Sequence, residues 1–175
     1  LVIGTRNTGK SYTTAKILHQ SHDDKLYDRY FMITPTYDSN KKYWEFLDID
    51  EDDVFYPTRD SIDKVIDAIE SERDEWSEYV MSKKLYQDFK DKTKNATSIH
   101  SMDLLDLNCF IDLGYLDQDG NPTDVPPPIW KRDIERPCQS CLLCDDILGS
   151  SALGNAPGLT KLAIMNRHIA PLHEP

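Results

Sequence analysis

The residues with the clearest chemical potential form a glycine-rich octapeptide near the start of the sequence, Gly4-Thr5-Arg6-Asn7-Thr8-Gly9-Lys10-Ser11. Its glycines, lysine and serine fit the spacing G-x-x-x-x-G-K-[ST] without departure. Glycines let a backbone curl so that successive N–H groups point at one anion, and a following helix adds the positive end of its dipole. Lys10 is placed to reach the β- and γ-phosphates of a nucleotide, and the Ser11 hydroxyl to ligate Mg²⁺. The octapeptide therefore predicts a phosphate-binding loop.

A second candidate site follows an apolar run toward the end of the sequence. The run Cys141-Leu142-Leu143-Cys144 is typical of a buried strand, and Asp145 and Asp146 come directly after it. A P-loop nucleotide site needs a carboxylate at the end of a neighbouring buried strand to hold the metal through water, and Asp145 is the expected magnesium-side ligand. Asp146 is then placed to orient or deprotonate the attacking water, a role more often given to glutamate. The alternative is that the two aspartates merely end a strand at a turn.

The elements that must position these residues alternate between strand and helix patterns. Apolar and β-branched runs predict short strands, and apolar residues at three- and four-residue steps predict helices. The predicted strands are 1–3, 29–34, 54–56 and the run before Asp145; the predicted helices are 10–20, 61–94 with a break near Ser82, 102–116 and 159–167. This order predicts an α/β fold with a mostly parallel sheet flanked by helices.

Length and composition restrict the class of protein further. The 175 residues predict a single domain over 1–175, with an irregular surface insertion at about 95–137. No apolar run approaches the roughly 20 residues that cross a bilayer, so no membrane span is expected. The net charge of −11 argues against a surface that is basic throughout and binds nucleic-acid backbones over its whole area, but it is compatible with a local basic patch. The acidic run at 48–53 is expected to be a solvated connection.

Four segments together resemble the viral genome-packaging ATPases of the FtsK/HerA superfamily, the poxvirus type found in large DNA viruses and virophages. They are the loop GTRNTGKS, the strand-and-proline element FMITPTYDS, the acidic segment LLCDDILGS and the helix-borne LTKLAIMNRH. The resemblance runs in order along nearly the whole chain, although only the first and third segments are specific. Residues 95–137 carry none of it.

The resemblance implies a P-loop NTPase with an ASCE or RecA-like core, and ATP and Mg²⁺ as cofactors. By motif match, Lys10 and Asp146 are catalytic, Arg167 is the arginine that senses a neighbouring subunit's nucleotide, and Ser11 and Asp145 bind the metal. The residues matched to nucleotide binding are Gly4, Thr5, Arg6, Asn7, Thr8, Gly9, Lys10, Ser11 and Tyr12.

The resemblance also implies the partners and the location of the protein. By this resemblance, the protein is expected to form a homo-oligomeric ring that hydrolyses ATP to drive double-stranded DNA into a preformed capsid. Capsid or portal-vertex proteins are its expected protein partners. The expected location is the host cytoplasm, a viral factory or the virion. Secretion is not expected, because the four cysteines lack the spread-out framework of a small secreted fold and indicate a reducing compartment.

The core that the resemblance implies is expected to be incomplete at both ends. In that fold, a strand ending in a polar sensor follows the acidic strand and lies between it and the strand of the phosphate loop. No such strand is legible before Pro175, and the loop motif already begins at Gly4.

Other interpretations stay open at this point. A P-loop kinase would use lid arginines such as Arg132 and Arg136, although no compact lid segment is evident. A GTPase is weaker, because residues 40–43 lack the aspartate that reads guanine. A nucleotide-binding scaffold or assembly subunit without turnover is the non-enzymatic alternative. The basic residues considered for DNA contact are Lys131, Arg132, Arg136 and Lys161.

Overall fold

The structure, a computed structural model, describes residues 9–94, 99, 101–147, 149–154 and 156–169, and within the last range it describes the side chains of 157–163. The chain divides into two compact units. The first joins residues up to Arg73 with those from Arg136 onward, and the second comprises 74–135. The expected single domain, with an insertion at 95–137, stays a prediction.

Helices and short strands alternate along the chain, as the apolar patterns predict. The main elements are α1 (Lys10–Asp23), β1 (Arg29–Ile33), α2 (Tyr37–Asn40), β2 (Val54–Phe55), α3 (Ser61–Lys92), α4 (Leu104–Asp112), β3 (Ser140–Cys144) and α5 (Ala156–Ile169). Because α3 is continuous, the predicted break near Ser82 is wrong. The predicted strand at 1–3 lies outside the described residues.

The three described strands form one small parallel sheet in the order β2-β1-β3. The register of β1 against β3 runs from Arg29 opposite Ser140 to Ile33 opposite Cys144. This confirms the α/β class, with a parallel sheet flanked by helices. Parallel strands end at the same edge of a sheet, so the residues after Ile33 and Cys144 are neighbours.

The central strand β1 is buried on both faces. Tyr30 and Met32 pack into one apolar cluster with Ala15 and Leu18 of α1. Phe31 and Ile33 pack into a second cluster, with Ile62, Val65 and Ile66 of α3. Successive side chains of a strand point to opposite faces, so one five-residue strand supplies both clusters.

An ion pair joins the amino ends of β1 and β3. Arg136 donates from both terminal guanidinium nitrogens to the Asp28 carboxylate, at 2.6 and 2.8 Å. The Gln139 N–H donates to the same carboxylate at 2.8 Å, and the Asp28 N–H donates to the Gln139 carbonyl at 2.7 Å. These bonds lock the alignment of the two strands at the point where their pairing begins.

A second ion-pair group crosses from β1 to α3. Arg29 donates to both carboxylate oxygens of Asp53 at 2.7 Å and to Glu72 at 3.0 Å, and its guanidinium carbon lies 4.5 Å from the centre of the Phe31 ring. Asp53 and Glu72 are each buried to an exposed fraction of 4%. The expectation that the acidic run at 48–53 is solvated is therefore wrong for Asp53, whereas the other acidic residues of that run are exposed.

The second unit has an apolar core of its own. Phe89 of α3 stacks on Tyr115 with 5.1 Å between the ring centroids, and it meets Phe110 of α4 edge-on at 5.4 Å. Leu116 completes the buried group. The part of 95–137 that the structure describes thus contributes a helix and buried aromatic side chains. Among the described residues, no helix combines the length and apolarity needed to cross a membrane.

Candidate functional site

The helix that should follow a phosphate-binding loop begins where the motif places it. Gly9 adopts left-handed backbone angles, with φ 78° and ψ 20°, and α1 starts at Lys10. Glycine reaches that conformation without the steric cost that a Cβ imposes. Ser11 lies in the first turn of α1, where unpaired N–H groups and the helix dipole favour an anion. The predicted ligands Gly4, Thr5, Arg6, Asn7 and Thr8 lie outside the described residues.

The predicted metal ligands come together although they are 134 positions apart in the sequence. The Ser11 hydroxyl lies 3.4 Å from each carboxylate oxygen of Asp145. Strand alternation explains the meeting, because Leu143 of β3 faces the α1 cluster and Asp145 continues the same series two residues later. The Asp145 N–H donates to the carbonyl of Ile33 at 3.0 Å, which ties the carboxylate to the end of β1.

The surroundings of Asp145 favour a cation beside it. Burial raises the pKa of Asp145 above its ordinary value, and the charge of Asp146 adds to that increase. The Ser11 hydrogen bond and the positive charge of Lys10 act in the opposite direction. A carboxylate and a hydroxyl are the hard oxygen donors that Mg²⁺ takes, and an adjacent cation stabilises the ionised carboxylate. The residues present therefore fit the metal that the sequence predicts.

We expect Asp145→Asn to increase slightly the thermal midpoint of the nucleotide-free chain at neutral pH. Because the folded-state pKa is raised, ionising this carboxyl costs free energy of folding. That cost is absent below the ordinary aspartate pKa of 3.8 and complete above the raised pKa, so the advantage of the variant should shrink as the pH falls toward 3.8. Thermal denaturation across this pH range, with the exposed Asp67→Asn as the control, measures it. A variant less stable than the parent at neutral pH would contradict the expectation.

Asp146 lies in a different environment from Asp145. Its side chain is exposed, and its backbone is left-handed with φ 56°, a conformation that costs free energy for any residue with a Cβ. The chain thus turns sharply just after β3, so that neighbouring carboxylates occupy a half-buried and an exposed position. The half-buried Asp145 is therefore suited to metal binding, and the exposed Asp146 is suited to contact with water.

The structure describes the side chains of some of the remaining predicted residues and not of others. Tyr12 lies on α1 with 64% of its surface exposed. The backbone of Arg167 lies within α5, but its side chain is outside the described part of the chain. Lys10 is half-buried at the start of α1, near enough to Asp145 to affect its titration.

A group of polar side chains follows β1, within and directly after the FMITPTYDS segment, and the sequence assigns none of them a role in the site. Thr34 is buried, and its hydroxyl accepts a hydrogen bond from the Thr36 N–H at 3.2 Å. Asn40 donates to the Thr36 hydroxyl at 3.1 Å. Thr34 follows directly after Ile33, whose carbonyl receives the Asp145 N–H, so this group borders the candidate site. The sequence feature that indicates this group is the position of Thr34 and Thr36 just after β1, which is parallel to β3.

Three of the basic residues considered for DNA contact are engaged in ion pairs. Arg136 binds Asp28, Lys161 binds Glu70 at 2.7 Å, and Lys131 binds Glu75. Their charges are therefore partly neutralised within the chain.

Comparisons of the chain with protein-family models, with curated proteins and with solved structures found no match. The assignment to a family accordingly stays a prediction from the four motif segments.

Proposed function

We propose that this chain is a P-loop ATPase whose hydrolysis drives the translocation of double-stranded DNA into a viral capsid. The observation that carries the ATPase is the contact between the Ser11 hydroxyl and the Asp145 carboxylate, at the amino end of a helix that begins with Lys10. The motor function rests on the resemblance of the four motif segments to packaging ATPases.

Each described residue has a chemical role in this proposal. The N–H groups of the first turn of α1 and the Lys10 ammonium bind and orient the phosphates. Ser11 and Asp145 would hold Mg²⁺, which would neutralise charge that develops on the phosphate oxygens. Asp146, exposed beside this pair, orients the attacking water and accepts its proton.

The sheet supports a core of this type. β3 pairs with β1 through one edge, and among the described strands none pairs with its other edge. That edge is where the resemblance places the strand between the acidic strand and the strand of the phosphate loop.

The structure disfavours one version of the kinase alternative. A lid arginine has to be available to a bound nucleotide, whereas both terminal nitrogens of Arg136 are bound to Asp28. The side chain helps to align β1 with β3, which is a structural role.

ATP turnover with and without double-stranded DNA tests the proposal. We expect magnesium-dependent phosphate release that duplex DNA stimulates several-fold, and that is lost in Lys10→Ala but retained in Lys16→Ala, a change at an exposed position of the same helix. Transfer of phosphate to a small acceptor would contradict the motor function and indicate a kinase. Tight binding of ATP without turnover would contradict it and indicate a nucleotide-binding scaffold.

A further inference from the structure

The inner side of α4 is packed as a surface helix requires. Phe110 is buried against Phe89, and the half-buried Leu107 and Ile111 pack beside it. These apolar residues alone satisfy the need of a short amphipathic helix to cover a core.

The outer side of α4 also carries exposed apolar residues, alongside the exposed Asn108 and Asp112. Leu104, Leu105 and Leu113 expose 72%, 78% and 42% of their surfaces, and Cys109 is exposed. Leu105, Cys109 and Leu113 follow one another at four-residue steps and so lie on one line along the helix, whereas Leu104 is exposed in the first turn, about 100° around the axis from Leu105. We call these four residues the outer stripe. Exposed apolar side chains that are grouped on a surface mark a site of contact with a partner.

The chain segment that carries the outer stripe is acidic. Residues 103–124 contain six aspartates and no lysine or arginine. Asp103 and Asp112 are exposed at the two ends of α4. Asp106 binds Lys92 of α3 at 2.8 Å, which leaves the other five without a cation from their own segment. These five are Asp103, Asp112, Asp117, Asp119 and Asp124.

We propose that the outer stripe of α4 is the docking surface for a basic amphipathic helix of a partner protein. The apolar side of that helix would cover the leucines, and its lysines and arginines would face the aspartates. The same charges disfavour the other occupants. Two outer stripes brought together would place like charges opposite each other, and both anionic lipid and DNA would be repelled.

Binding of a synthetic leucine–lysine peptide, with leucine at helical spacing, tests this surface on the full chain. Fluorescence anisotropy should show binding that weakens at high salt. A peptide of the same composition in scrambled order separates docking from plain charge attraction, and a leucine–glutamate peptide of the same pattern tests the sign of the charge. The variant Leu104→Ser/Leu105→Ser should weaken binding at least about tenfold. The matched double variant Val80→Ser/Met81→Ser changes two adjacent exposed apolar residues of α3 and should leave it unchanged.

The results either support or overturn the proposal. Equal binding of the ordered and scrambled peptides, or of the lysine and glutamate peptides, would overturn it. So would an unaffected Leu104→Ser/Leu105→Ser variant whose circular dichroism matches the parent, or no binding of any peptide. Concentration-dependent self-association that this variant abolishes would assign the outer stripe to a second copy of the chain instead.

Discussion

Asp145→Asn is expected to slow magnesium-dependent ATP hydrolysis by at least about a hundredfold. The metal supplies several kcal/mol of charge stabilisation in the transition state, and each 1.36 kcal/mol of barrier is tenfold in rate. An amide at this position keeps the shape of the side chain, and it can still accept a hydrogen bond from Ser11. It removes the negative charge that would hold the proposed cation. Initial rates of phosphate release over a magnesium titration measure both the rate and the metal requirement.

Two further variants separate metal binding from proton transfer. Asp146→Asn should lower the rate and leave the magnesium concentration for half-maximal activity unchanged, whereas Asp145→Asn should increase that concentration. Asp67→Asn, at an exposed position of α3, should match the parent. If Asp145→Asn retained the parent's rate and magnesium dependence, the contact between Ser11 and Asp145 would not be a metal site.

Arg29→Ala is expected to lower the free energy of unfolding by about 3–5 kcal/mol. The change leaves Asp53 and Glu72 buried without their cation, and an unpaired buried charge costs more than the pair contributes. Hydrogen bonding to Asp53 raises the pKa of Arg29 above its ordinary value, with further help from Glu72, so the guanidinium is charged at every accessible pH. Urea denaturation followed by circular dichroism gives the free energy. A loss of this size is a large part of the stability of a small protein, roughly 5–15 kcal/mol.

Two controls show whether the loss comes from the unpaired carboxylates. Arg59→Ala removes an exposed arginine from the same unit and should change stability by less than about 0.5 kcal/mol. The triple variant Arg29→Met/Asp53→Leu/Glu72→Met replaces the whole group by apolar side chains and should recover most of the loss. An equal deficit in the single and triple variants would show that the unpaired buried carboxylates are not responsible for the loss.

Local patterns in the sequence predict the central part of the fold well. The apolar runs place β1 and β3, and the step from glycine to lysine places the start of α1 at its observed residue. β1 is legible because it is buried over most of its length, so its residue types are restricted. β3 is less buried than its apolar run predicts, since Leu143 is buried but Cys144 is exposed. The meeting of Ser11 and Asp145 also follows from sequence, since a parallel sheet brings its strand ends to one edge.

Other features depend on partners that are distant in the sequence. Asp53 looks like one member of an acidic, solvated run, and only the position of Arg29 shows why it is buried. Ser82 suggests a break in α3, but a single serine costs a helix little and the flanking residues are good helix formers. The buried aromatic residues of 74–135 are spread over three segments with no common period, so no local pattern indicates that they share a core.

The ion pair between Asp28 and Arg136 couples the candidate site to the correct alignment of β3 with β1. A shift of β3 by one residue along β1 would break that pair and would turn Asp145 to the face of the sheet opposite α1. Ser11 would then have no carboxylate beside it. A chain that closes its sheet in the wrong alignment would thus lose the proposed metal ligand completely, and the proposed ATPase activity per molecule would measure the fraction of correctly assembled chains.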